Sequence, residues 1–156
     1  MNLLTAVIVA STVASALVGG VFFAFSAFVM RALTDLPPAQ GILAMQRVNV
    51  AVINPLFLGV FFGTALLLGI ATYLGRHSSQ SFAWLIGAFL IYLVGSVGVT
   101  MALNVPRNNR LASLEATSTQ AAAYWPAYVR EWLAWNHVRC IASLAAAVVA
   151  MLAAAS

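Results

Sequence analysis

Six side chains in the last third of this chain fall at a spacing that could do chemistry. At 100° per residue, Trp125, Tyr128, Trp132, Trp135, Asn136 and Arg139 share one helical face, while His137 projects to a different side. An aromatic wall interrupted by one amide and one guanidinium can hold a flat, partly polar molecule. The rings stack on it, and the guanidinium brings five donors to an oxygen. The same rings would equally serve as an interfacial belt, with Trp and Tyr anchored at headgroup depth. Arg139 lies one turn inside an apolar run, where a guanidinium needs an acceptor. Glu131, a nearby amide oxygen or a ligand oxygen are the candidates.

Amides gather near the same level. Gln46, Asn49 and Asn54 precede or open one apolar stretch, and Asn104, Asn108 and Asn109 close another. Amides in an apolar bundle are unfavourable unless paired, so their convergence reads as an interhelical network or a polar pocket. Helix capping at headgroup level is the alternative. Pro55 after Asn54 removes a helical donor and clashes with the Ala51 carbonyl, which predicts a kink.

The chemistry that is missing narrows the field. The two His fall near opposite ends of the predicted spans, Cys140 is alone, and the carboxylates are Asp35, Glu115 and Glu131. Bis-His haem ligation, a His/Cys zinc cluster and a di-iron carboxylate site all need more ligands than that. No glycine-rich phosphate loop follows a strand. Redox chemistry here is expected to use no bound cofactor, or a diffusing partner.

These residues are carried by an unusual composition. Of 156 residues, 63% are hydrophobic and 6% charged, and the mean hydropathy is +1.00. A soluble domain carries about a quarter charged residues, so most of this surface must face lipid. All seven basic side chains are Arg, scattered between apolar stretches, which reads as membrane topology and not as nucleic-acid binding. Four stretches are long enough to cross the bilayer as helices, at about 3–30, 50–74, 82–103 and 138–155. The expected fold is all-α, a single-domain integral membrane four-helix bundle over residues 1–156. The first stretch lacks a basic leader and runs on through Phe22, Phe23, Phe25 and Phe28, so it reads as a retained span. Residues 124–136 read as a helix running into the fourth. Arg31, Arg47, Arg107, Arg110 and Arg130 fall on one face and Arg76 on the other, which predicts termini outside. Small residues recur at Ala16, Gly20 and Ala24, at Gly59 and Gly63, and at Gly95 and Gly98. They are the expected helix-packing surfaces and leave a homo-oligomer open.

Two stretches carry a family resemblance: Asn104-Val-Pro-Arg-Asn-Asn-Arg-Leu111 and Arg130-Glu-Trp-Leu-Ala-Trp-Asn-His-Val-Arg139. With Phe22-Phe-Ala-Phe-Ser26, Met45-Gln-Arg-Val-Asn49 and Asn54-Pro-Leu-Phe57, the chain resembles the anthrone-oxygenase-like membrane family. Arg31 and Arg107 depart from the pattern, where Pro and an apolar residue are usual, and are not taken as site residues. The resemblance implies a four-span protein, a bacterial inner-membrane location and, for fungal relatives, oxidation of an anthrone to an anthraquinone by O₂ without a bound metal or flavin. On that reading Trp132 and Trp135 stack on the rings, Arg139 and Asn136 hold the oxyanion, and Asn49, Asn54, Asn104 and Asn108 line the substrate site. Glu131 and His137 are the nearby bases. A protein that binds or moves a small lipophilic molecule without catalysis would use the same pocket, and a purely structural subunit would use the glycine faces.

Overall fold

A computed structural model describes residues 2–154, apart from the side chain of Ser79. The chain is an all-α membrane bundle, and no strand occurs among the described residues. Four helices are long and apolar enough to span: α1 (Leu3–Thr34), α3 (Pro55–His77), α4 (Gln80–Ala112) and α5 (Thr119–Ala154). A shorter helix, α2 (Pro38–Ala51), lies between the first two. The spanning helices form a square in which α1 packs on α3 and α5, and α4 packs on the same two neighbours. At about 1.5 Å per residue, α5 is roughly 54 Å long, well beyond the 30 Å of hydrocarbon. Its first half, with Trp125, Pro126 and Tyr128, therefore projects past the other helices and packs on α2.

The expected second span from Val50 is not one kinked helix. α2 ends at Ala51, and Asn54 caps a new helix: its Oδ1 accepts from the Phe57 N–H at 2.9 Å, and its Nδ2 donates to the Ala51 carbonyl at 2.8 Å. Pro55 takes the first helical position, where its missing N–H breaks no bond. The break turns the chain, so α2 lies across one end of the bundle.

The two ends of the bundle differ. At the end that holds the α3–α4 turn and both termini, Ile8, Ala71, Leu85 and Ala153 close a compact cluster. In mid-bundle, Val18, Phe22, Phe61, Leu68, Tyr92 and Cys140 form the main core, and the Tyr92 hydroxyl donates to the Phe61 carbonyl at 2.8 Å. Hydroxyls tie the helices there: Ser15 Oγ donates to the Ser143 carbonyl at 2.7 Å, and Ser143 Oγ to Ser96 Oγ at 3.0 Å. At the other end Ile42 and Met45 of α2 are fully buried against Trp125, Tyr128 and Trp132.

Helix contact uses one of the expected glycines and one that was not expected. A Cβ at Gly19 would meet Leu144 Cδ2 at 2.7 Å, and one at Gly95 would meet Ala142 Cβ at 2.6 Å. Gly20, Gly59 and Gly63 have nothing within 4 Å of that position. Of the expected set, only Gly95 makes a close contact with another helix. One residue along α1 turns the face by 100°, so Gly19 meets α5 while Ala16 and Gly20 look outward.

Two spans widen where they border the amide-rich end. In α1 the Met30 N–H reaches the Phe25 carbonyl, and in α4 the Val105 N–H reaches the Thr100 carbonyl. These are five-residue turns, a feature common at functional sites. The α4 turn has a local cause. Pro106 would clash with the carbonyl one turn back, and the wider turn makes room. Arg107 then reaches back to donate to the Leu103 carbonyl at 2.6 Å.

Candidate functional site

The spans are packed at one end and spread at the other, which leaves a cavity of about 420 Å³ beneath α2. That size suits a small-molecule ligand, within the usual range of about 300–1,000 Å³. Its walls are Phe22 and Phe25 of α1, Phe57 and Phe61 of α3, Thr100 of α4, and Trp132 and Arg139 of α5. Gln46, Asn49, Asn108 and Asn109 supply amides at the end covered by α2.

Arg139 is the charged group of this cavity. It is 5% exposed. Nη2 donates to Asn136 Oδ1 at 2.7 Å and Nη1 to Thr100 Oγ1 at 3.3 Å, while buried Nε has no protein partner. The guanidinium carbon lies 4.3 Å from the Phe22 ring centre and 5.1 Å from that of Trp132. Two aromatic faces thus offset part of the cost of holding a cation here, about 2.5–3.5 kcal/mol on insertion scales. Glu131 does not pair with it. That carboxylate forms an ion pair with Arg107 at 3.0 Å, so the Arg set aside in sequence takes one of the three candidate partners of Arg139.

Behind Arg139 a short relay runs to the outside. Asn136 Nδ2 donates to the Phe22 carbonyl and to Ser26 Oγ, both at 2.8 Å, and Ser26 Oγ lies 2.9 Å from His137 Nδ1. Asn136 is fully buried, and both ends of its amide are occupied. It ties α1 to α5 and fixes the guanidinium. The widened turn of α1 contains Ser26 and begins three residues after Phe22, so it presents both acceptors to Asn136.

The remaining candidates divide. Asn49 and Asn108 line the cavity and meet through Tyr128, whose hydroxyl donates to Asn108 Oδ1 at 2.9 Å and lies 3.4 Å from Asn49 Nδ2. Asn104 is fully buried inside the helix contact, donating to the Trp132 carbonyl at 3.1 Å, and its Oδ1 has no partner. Asn54 is a helix cap beside a smaller hollow between α1 and α3. Trp135 is half-buried outside the cavity, and Trp125 stacks on Tyr128 at 5.6 Å beneath α2. The expected aromatic wall of α5 is therefore covered by α2 over its first half, and only Trp132 opens to the cavity. Phe25 packs against Trp132 at 5.5 Å, and Phe57 stacks on Phe61 at 5.9 Å. These rings replace the missing part of the wall. Glu131 and His137 are not among its lining residues. Thr100 and Phe61 were not singled out in sequence. The spacing of Phe57 and Phe61 by one turn was the signal for the latter.

Among the described residues no three His, Cys, Asp or Glu side chains gather around a common point. A family model described as anthrone oxygenase matches residues 50–149, which takes in Asn54-Pro-Leu-Phe57 and both of the stretches first quoted. The stretches at 22–26 and 45–49 precede it. No curated protein and no solved structure matches the chain.

Proposed function

This chain belongs to the anthrone oxygenase family, and on that premise we propose that it oxidises an anthrone- or quinone-like aromatic with O₂ in the membrane, without a bound cofactor. The observation that carries the reading is Arg139: a buried cation between two aromatic faces, with an unused donor, lining a cavity of tricyclic size. The rings of the substrate lie among Phe25, Phe57, Phe61 and Trp132. Its oxygen faces Arg139, with Asn49 and Asn108 orienting the far edge.

The chemistry follows from charge. Loss of a proton from the methylene carbon opposite the carbonyl leaves an enolate whose oxygen is stabilised by the guanidinium. That carbon gives an electron pair to O₂ and forms a C–O bond, and the peroxide takes up a proton. Loss of the second C–H proton with cleavage of the O–O bond releases water and leaves the second carbonyl. One O₂ is consumed per anthrone, and the products are quinone and water. With neither Glu131 nor His137 lining the cavity, the first proton passes to water at its amide-lined end beneath α2, and Arg139 supplies the driving force by making the bound substrate more acidic.

We place the Arg-rich end, with α2 and the cavity, on the cytoplasmic side of an inner membrane. Arg31, Arg47, Arg107, Arg110 and Arg130 lie toward that end against Arg76 at the other. The experiment is oxygen uptake by purified protein supplied with anthrone, corrected for the spontaneous reaction. Equimolar anthraquinone formation is expected, together with elemental analysis free of stoichiometric metal. Metal near one equivalent that survives chelation would overturn the cofactor-free reading. Binding without oxygen uptake would leave the second reading, a membrane carrier or binder of lipophilic molecules, which the absence of a carboxylate or imidazole among the lining residues favours.

A further inference from the structure

The cavity has two boundaries of unlike character. Toward water it is covered by α2, which is tied down: Gln46 Nε2 donates to the Leu111 and Leu114 carbonyls, both at 2.9 Å. Ile42 and Met45 anchor the same helix in a buried cluster. Toward the side, α3 and α4 pack closely near their shared turn and then diverge. Phe62 of α3 and Met101 of α4 line the cavity yet are 46% and 54% exposed on the outer surface. Phe62 is seven residues into α3 and Met101 six before Arg107, so each lies roughly 10 Å from the polar end of its helix, inside the hydrocarbon layer. Neighbouring Ile53 is 70% exposed and also lines the cavity. An opening at that depth, apolar at the rim and cationic within, fits a molecule dissolved among acyl chains that carries an acceptor oxygen at one end.

We propose that the cavity loads sideways from the bilayer, through the gap between α3 and α4, with Phe62 and Met101 as the jambs that set how wide an apolar body can pass. This rests on the cavity being a ligand site, as in the proposed function, but not on turnover. It predicts that the ligand is a lipid-soluble aromatic, and that charged, bilayer-excluded analogues do not reach Arg139.

The test uses the full chain in phosphatidylcholine vesicles, with anthraquinone as the probe and quenching of tryptophan emission as the readout. Met101→Phe narrows the gap and Phe62→Ala widens it. Stopped-flow quenching should slow by about tenfold in the first and quicken in the second, within the one to three decades over which association rates vary among variants. Release of anthraquinone should slow and quicken in the same two variants, because a gate acts on entry and exit alike. Anthraquinone-2-sulfonate added to the water should not quench. Arg76→Gln, at the closed end, should change nothing. Unaltered quenching rates in both jamb variants would overturn the proposal, as would quenching by the sulfonate at the rate of the parent. If anthraquinone loads as described but anthrone is not oxidised, the oxygenase reading fails and the portal stands. If anthrone is oxidised while both jamb variants load normally, the portal alone fails. No quenching by anthraquinone at all would remove both.

Discussion

Arg139 and Asn136 sit one turn apart and are bonded to each other, yet they have different work, and substitution should separate them. Arg139 has donors to spare and lines the cavity, so Arg139→Gln should lower kcat/KM for anthrone oxidation by about 10²–10³. It should lower stability in detergent by about 1 kcal/mol, the usual scale of one interhelical hydrogen bond. Asn136→Ala instead unties α1 from α5 and leaves the Phe22 carbonyl, Ser26 and Arg139 short of partners. Its main effect should be thermal destabilisation, by about 1–3 kcal/mol. If Arg139→Gln unfolds the protein while activity per folded molecule persists, the site assignment is wrong. The sequence made Arg139 and Trp132 legible because one helical face and one intramembrane charge are enough to single them out. It did not separate Asn49 and Asn108 from Asn104 and Asn136. All four lie near one level, and which amide opens to a cavity depends on helix rotation, a tertiary quantity.

Among the helices, α2 decides how much of the aromatic face on α5 is available. It crosses α1 at Gly41, where a Cβ would run into the Leu33 carbonyl and crowd Trp125. Gly41→Ala should therefore lift α2 and expose Trp125 and Tyr128, which a red-shifted tryptophan emission would report. Thermal stability should fall by about 1–3 kcal/mol, as in other overpacked contacts. Unchanged emission and stability would mean that α2 is not held by this crossing. The spans themselves were readable from length and hydropathy alone. The break at Asn54 was not, because Asn-Pro signals either a kink or a cap with a fresh start, and local sequence does not choose between them. The five-residue turns were equally hidden: Pro106 hinted at a disturbance, but nothing marks Phe25 to Val29.

For the molecule as a whole, orientation is the property most open to direct test. Both termini lie at the end that holds Arg76. A C-terminal alkaline phosphatase fusion should be active in the periplasm of a bacterial host. A C-terminal fluorescent fusion that matures in the cytoplasm would reverse the topology. The bundle was legible as a class, while its asymmetry was not, because hydropathy reports that helices cross and not where they part. That asymmetry has a bearing on how such a protein diverges. The contacts that hold α3 to α4 cluster around Leu68, Ala71, Leu85 and Ala88, all fully buried near the turn, whereas Phe62, Met101 and Ile53 at the spread end are held by little. Replacements at the spread end put few core contacts at risk, so a lineage can try new ligands there without first losing the fold. Mutational drift should accumulate at Ile53, Phe62 and Met101, and be resisted at Gly19, Gly95 and Asn136, where an α5 side chain fills the space a Cβ would take or buried bonding holds the amide.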